Sequence, residues 1–109
     1  MDQTLDFLTS ELKNLDDNKE DFILLDVRTD AEVLQSKIPI DSIHIPMNEI
    51  PNRIIELDKN KNIIVYCKSG ERSQRVCDYL IQNNFKNIQN LDGGILAWAN
   101  KIDPTLLIF

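Results

Sequence analysis

Cysteine and histidine are scarce in this chain: two cysteines and one histidine among 109 residues. Cys67 and Cys77 lie ten positions apart, which is not a disulfide framework. With no Cys-x-x-Cys pair and a single His, the sequence has no metal signature either. No apolar run approaches the roughly 20 residues that span a bilayer. Met1-Asp2-Gln3-Thr4 lacks the basic start and apolar core of a secretion signal. The expectation is a chain that stays in the cytoplasm with its cysteines reduced. Basic residues are outnumbered, 12 Lys and Arg against 18 Asp and Glu, a net charge of −6. That argues against nucleic acid or an anionic membrane as a partner. A small anionic substrate stays open, because local charge in a cleft matters more than the total. There is no internal repeat, linker or low-complexity segment, so residues 1–109 read as one domain.

What is present is an alternation of strand and helix patterns. Leu5, Leu8, Leu12 and Leu15 form one apolar stripe of a first helix, with Asp2 or Thr4 at its start. Phe22 to Val27 is an apolar run that reads as a buried strand, with Asp26 near its C-terminal end. Asp30 to Gln35 suits a short helix capped by Thr29 or Asp30. Ser42 to Ile45 is a short strand stopped by Pro46. Asn48 to Leu57 carries the helical stripe Ile50, Ile54, Ile55 and Leu57, with Pro51 near its first turn. Then come a strand at Ile63–Tyr66, a helix from about Ser73 to Asn83, a strand at Ile88–Leu91 and a short helix at Ile95–Asn100. Short continuous apolar strands alternating with helices predict a parallel sheet covered on both faces. Ligands bind such sheets at the C-terminal strand ends, where Cys67 and Asp26 both lie.

Cys67 opens the run Cys67-Lys68-Ser69-Gly70-Glu71-Arg72-Ser73, directly after Ile63-Ile64-Val65-Tyr66. The pattern places a thiol between a buried strand and a helix N-terminus. Unpaired amides and the positive end of the helix dipole there favour thiolate over thiol. Gly70 can adopt positive φ and let the backbone turn close to the sulfur. Arg72 can fold back to hold an anion, and Lys68, Arg72 and Arg75 make a basic mouth in an acidic chain. Glu71 is expected to face solvent. Cys77, well into the following helix, reads as a small packing residue. His44 reads as structural, Trp98 as core, and Arg28 as a partner for Glu32.

These residues, taken together, resemble a rhodanese domain. Cys-x-x-Gly-x-Arg-Ser after an apolar strand is similar to that family's active-site loop. Leu24-Leu25-Asp26-Val27-Arg28, followed by Glu32, resembles its first strand motif. Ile38-Pro39 and Ile45-Pro46 match its two Ile-Pro pairs. Leu91-Asp92-Gly93-Gly94-Ile95 with Trp98 matches its closing motif. Asp103-Pro104-Thr105-Leu106 is similar to rhodanese domains attached to adenylyltransferases. The likeness runs in order over about residues 20 to 107. One departure is Ser36-Lys37-Ile38-Pro39-Ile40-Asp41, where many members have Gly-His-Ile-Pro-Gly-Ala.

The resemblance implies a three-layer α/β domain with a mostly parallel sheet of about five strands and helices on both faces. It implies a sulfurtransferase in which Cys67 takes a sulfane sulfur from a donor such as thiosulfate or a persulfide. Cys67 becomes a persulfide and passes that sulfur to a thiophilic acceptor. Lys68, Ser69, Gly70, Glu71 and Arg72 then form the substrate loop, and Ser73, Asp26 and Arg28 support it. No cofactor or metal is implied. The partners are a small anionic sulfur donor and, possible in such families, a protein sulfur donor or acceptor. Two other readings compete: a non-catalytic interaction module of the same type, and a phosphatase or arsenate reductase of related fold. The second group has a loop one residue longer between Cys and Arg, a larger cradle than one sulfur needs.

Overall fold

The computed structural model describes residues 6–108. The elements are β1 (Asp6–Phe7), α1 (Thr9–Asp17), β2 (Ile23–Asp26), α2 (Asp30–Gln35), β3 (Ile43–His44), α3 (Ile50–Arg53), β4 (Ile63–Tyr66), α4 (Glu71–Gln82), β5 (Ile88–Leu91) and α5 (Gly94–Lys101). The sheet has five strands in the order β1-β5-β4-β2-β3, and every pairing is parallel. Three strands have four residues; the two edge strands have two each.

Alternation along the central strands sorts the core into two layers. Leu25, Ile63, Val65 and Cys67 pack on one face with Ile50 of α3 and with Val76, Cys77 and Leu80 of α4. Leu24, Ile64 and Tyr66 pack on the other with Leu12 of α1 and with Ile95 and Trp98 of α5. Every residue of β4 is fully buried, which is why it reads as an unbroken apolar run. Trp98 is core, as its motif position suggested.

The N-terminal reading needs correction. Helix α1 begins at Thr9 with Leu8 as its N-cap, not at Leu5. Asp6 and Phe7 instead pair with Asn90 and Leu91 as the fifth strand. Phe7 is buried, and its carbonyl accepts from the Asp92 amide, so sheet pairing outweighs extension of the leucine stripe. Asp2, Thr4 and Leu5 lie outside the described residues. The helix expected over Asn48–Leu57 is also broken. A 3₁₀ turn at Met47–Glu49 leads into α3, and a second follows at Ile54–Glu56. Pro51 has no N–H for the carbonyl four residues back, so it stands in the first turn of α3 rather than inside a longer helix.

Helix α2 has the expected cap. The Thr29 hydroxyl accepts from the Glu32 amide, and Glu32 reaches back to the Thr29 amide. The departing segment at Ile38–Ile40 turns without a glycine: the Ile40 amide donates to the Ile38 carbonyl at 2.8 Å. Neither residue is among those with positive φ.

Candidate active site

Cys67 follows the last residue of β4 and is 1% exposed. Helix α4 starts at Glu71, two residues earlier than its apolar period suggests. Its N-cap is Gly70 at φ 107, a conformation closed to most side chains. This turn wraps the loop around the sulfur. The Gly70 amide donates to Cys67 Sγ at 3.1 Å and the Ser73 amide at 3.4 Å, and Ser73 Oγ lies at 3.3 Å.

The loop's amides can face inward because its carbonyls are held outside. The Ile95 and Leu96 amides, in the first turn of α5, donate to the carbonyls of Cys67 and Lys68 at 3.0 and 3.1 Å. Gly94 makes that approach possible: a Cβ there would collide with both carbonyl oxygens. The Asp92-Gly93-Gly94 turn thus orients the Cys67 loop from another strand end.

Burial pushes the Cys67 thiol up, yet the Ser73 hydroxyl and the amides of Ser73, Gly70 and Ser69 outweigh it. The net shift is downward. The lowering that the sequence assigned partly to cations comes chiefly from a hydroxyl and backbone dipoles. Cys77, by contrast, sits in the core; burial first, then Asp78 and Cys67, push its thiol up to about 12. The two cysteines are free and chemically unlike.

Arg72 closes the loop, but against a carboxylate. Its two terminal nitrogens donate to Glu32 Oε1 and Oε2 at 2.7 and 2.8 Å. Hydrogen bonds from Arg72 pull the Glu32 carboxyl down to about 2, against partial burial and with help from Thr29. The pairing expected between Arg28 and Glu32 is therefore wrong. Arg28 binds Asp26 instead, Nε to Oδ1 at 3.0 Å and a terminal nitrogen to Oδ2 at 2.7 Å, with both residues buried. Asp26 ends β2 and Arg28 follows it by two residues, so this buried pairing is local in sequence.

Arg28 also donates to the Ser36 carbonyl at 2.9 Å and lies over the Tyr66 ring at 5.3 Å. Asp26, Arg28 and Tyr66 brace the segment before Ile38 against β4; they support the site without hydrogen bonding to the sulfur. His44 Nε2 donates to the Arg28 carbonyl at 2.7 Å, the structural role expected of it. Lys68 is partly buried in the loop, and Ser69 and Glu71 are exposed, Glu71 on the solvent side.

Sequence reasoning missed Asn90. It is buried near the end of β5 and its Oδ1 accepts from Ser73 Oγ. Its Nδ2 donates to the Gly70 carbonyl at 3.1 Å and to Gln74 Oε1 at 3.3 Å. It pins Ser73 and Gly70, two of the residues that donate to the sulfur. The available signal was a lone amide inside an otherwise buried strand, where a polar side chain requires partners.

Beside the loop lies an open depression of about 490 Å³, lined by Ser69, Gly70, Glu71, Arg75 and Asp92 among others. Among the described residues no group of His, Cys, Asp and Glu is arranged to hold a metal. Among them, too, no helix is long and apolar enough to cross a membrane.

A thiolate-favouring sulfur ringed by donors suits attack on a sulfur atom that leaves a sulfur anion behind. Comparison with known proteins agrees. The family profile described as "Rhodanese-like domain" matches residues 8–101. A sulfurtransferase of Allochromatium vinosum is 46% identical over 80 residues, covering 73% of this chain and 74% of the relative. The putative sulfurtransferase YtwF of Bacillus subtilis is 41% identical over 96 residues, covering 88% and 91%. The crystal structure of a rhodanese-like domain protein from Staphylococcus aureus superposes with a TM-score of 0.81 at 35% identity, over 95% of this chain and 97% of that one.

Proposed function

The chain belongs to the rhodanese-like domain family and is a rhodanese-type sulfurtransferase; on that premise we propose that Cys67 carries the sulfur and that the loop from Lys68 to Arg72, with Ser73, holds it. The Cys67 thiolate attacks the outer sulfur of a sulfane donor. A new S–S bond forms at Sγ, the donor's own bond to that sulfur breaks, and the rest of the donor leaves with the electron pair. A thiophilic acceptor, such as cyanide or a thiol, then attacks the outer sulfur of the persulfide and restores the thiolate.

The observation that carries this reading is the ring of donors on Sγ: the Gly70 and Ser73 amides and the Ser73 hydroxyl. They favour the starting thiolate, and the same preorganised dipoles suit the anionic persulfide that replaces it. Asn90 and the first turn of α5 fix these donors before substrate arrives. Asp26 and Arg28 serve as structural braces. Sulfur donors and acceptors are the partners this chemistry needs, whether small thiols or proteins carrying a persulfide. A reducing, cytoplasmic setting suits the two free thiols.

The test is intact-mass analysis with a sulfane donor, then with cyanide. Wild type and Cys77→Ser should gain the mass of one sulfur and lose it to cyanide, whereas Cys67→Ser should gain none. Equal loss of uptake in the two variants would overturn the assignment of Cys67 as the single carrier.

A further inference from the structure

Arg72 is the one arginine of the loop between Cys67 and Ser73, and its fork is already occupied. Both terminal nitrogens lie on the Glu32 carboxylate at 2.7 and 2.8 Å. Glu32 is not a side chain free to swing away. Its Oε1 also accepts from the Thr29 amide and hydroxyl, each at 3.1 Å, which ties it to the start of α2. The pair is partly buried, with side-chain exposures of 31% and 23%, so solvent screens it only in part. Arg72 nonetheless lies close enough to Cys67 for the sulfur to raise its pKa, behind the larger effect of Glu32. The Arg72 guanidinium is thus neutralised by a fixed carboxylate. Glu71 and Asp92 add two more carboxylates beside the loop, against Arg75 and the loop's own Lys68.

This arrangement bears on the donor. Thiosulfate brings two negative charges to a thiolate, and its leaving group, sulfite, keeps both. Its sulfonate oxygens match the two-pronged edge of a guanidinium, the edge that Glu32 occupies. A hydropersulfide, R–S–S–H, brings at most one charge to the reacting end and no oxyanion there. Its transfer balances as Cys67–S⁻ plus R–S–S–H giving Cys67–S–S⁻ plus R–S–H, the proton of the outer sulfur passing to the leaving sulfur. The single sulfur charge remaining at the protein is what the ring of amides holds.

We infer that Glu32, by closing the Arg72 fork, sets the donor class of this site: hydropersulfides over thiosulfate. The inference rests on the sulfurtransferase reading and narrows it.

The experiment measures second-order rates of sulfur uptake at Cys67, by quenched intact-mass analysis, with thiosulfate and with cysteine hydropersulfide as probes. Glu32→Gln opens the fork and should raise the thiosulfate rate relative to the hydropersulfide rate by about tenfold, the worth of one hydrogen-bonded charge. Glu32→Asp, which keeps the charge, should keep a ratio near that of wild type. Arg72→Gln in the otherwise native chain should lower both rates by a similar factor, since neither donor uses the fork. An unchanged ratio in Glu32→Gln, or a selective loss of thiosulfate transfer in Arg72→Gln, would overturn the inference; the second arm holds even if Glu32→Gln folds poorly. Failure of both donors to load wild-type Cys67 would instead overturn the sulfurtransferase reading itself.

Discussion

Ser73 has a single proton and two claimants for it. Asn90 Oδ1 can only accept, and its orientation is fixed because Nδ2 donates to the Gly70 carbonyl. While Cys67 is a thiol, its S–H can donate to Ser73 Oγ and the hydroxyl can donate to Asn90. Once Cys67 is a thiolate, the hydroxyl is the nearest group able to turn its proton toward the sulfur. Ser73 is therefore more than a helix-start residue. Ser73→Ala removes the largest of the favourable contributions to the thiolate, leaving burial and the amides. Its Cys67 alkylation midpoint should move up relative to wild type, whose midpoint should fall below that of a free thiol. Sulfur uptake near neutral pH should fall by about tenfold, the order of one hydrogen bond to a charged atom. A Ser73→Ala profile that overlays wild type would show that the amides alone hold the charge.

Among the elements, α5 has the least obvious part in the site. It supplies no side-chain contact to the sulfur, yet its first turn binds the two loop carbonyls that would otherwise compete for orientation with the inward amides. Gly94 stands at that contact with φ 59. A methyl group there meets backbone oxygens of Cys67 and Lys68, which cannot swing aside as a side chain could. Gly94→Ala should lower stability by about 1–3 kcal/mol, the usual scale of local backbone strain. It should also weaken the thiolate, read as a rise in the Cys67 alkylation midpoint. Denaturant unfolding and the alkylation profile check the two effects separately. A variant with wild-type values in both would remove α5 from the account of the site.

At the scale of the molecule, the Glu32–Arg72 pair joins α2 to the Cys67 loop across 40 positions of sequence. Its carboxyl is held at about 2, below the ordinary value of 4.5. A group whose folded pKa is depressed contributes stability that is complete above its unfolded pKa. That stability is lost as pH falls through the folded pKa. The contribution of Glu32 should therefore be whole above about pH 4.5 and shrink toward pH 2. With screening allowed for, it amounts to about 1–2 kcal/mol. Urea midpoints of wild type and Glu32→Gln should differ at pH 7 and converge between pH 4.5 and 2. A gap that stays constant over that range would mean the pair adds nothing through its charge.

Cys67 at its strand end, the strand before it, its glycine turn and the helix after it were all legible in the amino-acid sequence, because each is encoded within a few residues. Tyr66 ends an apolar run, Gly70 permits the turn, and Val76, Cys77 and Leu80 set the buried face of α4. The Thr29–Glu32 cap was half legible for the same reason. Other features were decided only in the folded molecule. Asp6 and Phe7 joined β5 rather than a leucine-striped helix, because an open sheet edge offered backbone partners that no local pattern announces. Glu32 had two arginines within plausible reach. Burial committed Arg28 to Asp26, and the docking of α2 beside the loop left Glu32 to Arg72. Asn90 found Ser73 and Gly70 because β5 lies next to β4 in the sheet. Periodicity records which side of an element is buried; it does not record which element lies there. Ion pairs and hydrogen bonds act over a few ångströms, so long-range docking selected the partners around a cysteine that local sequence had already placed.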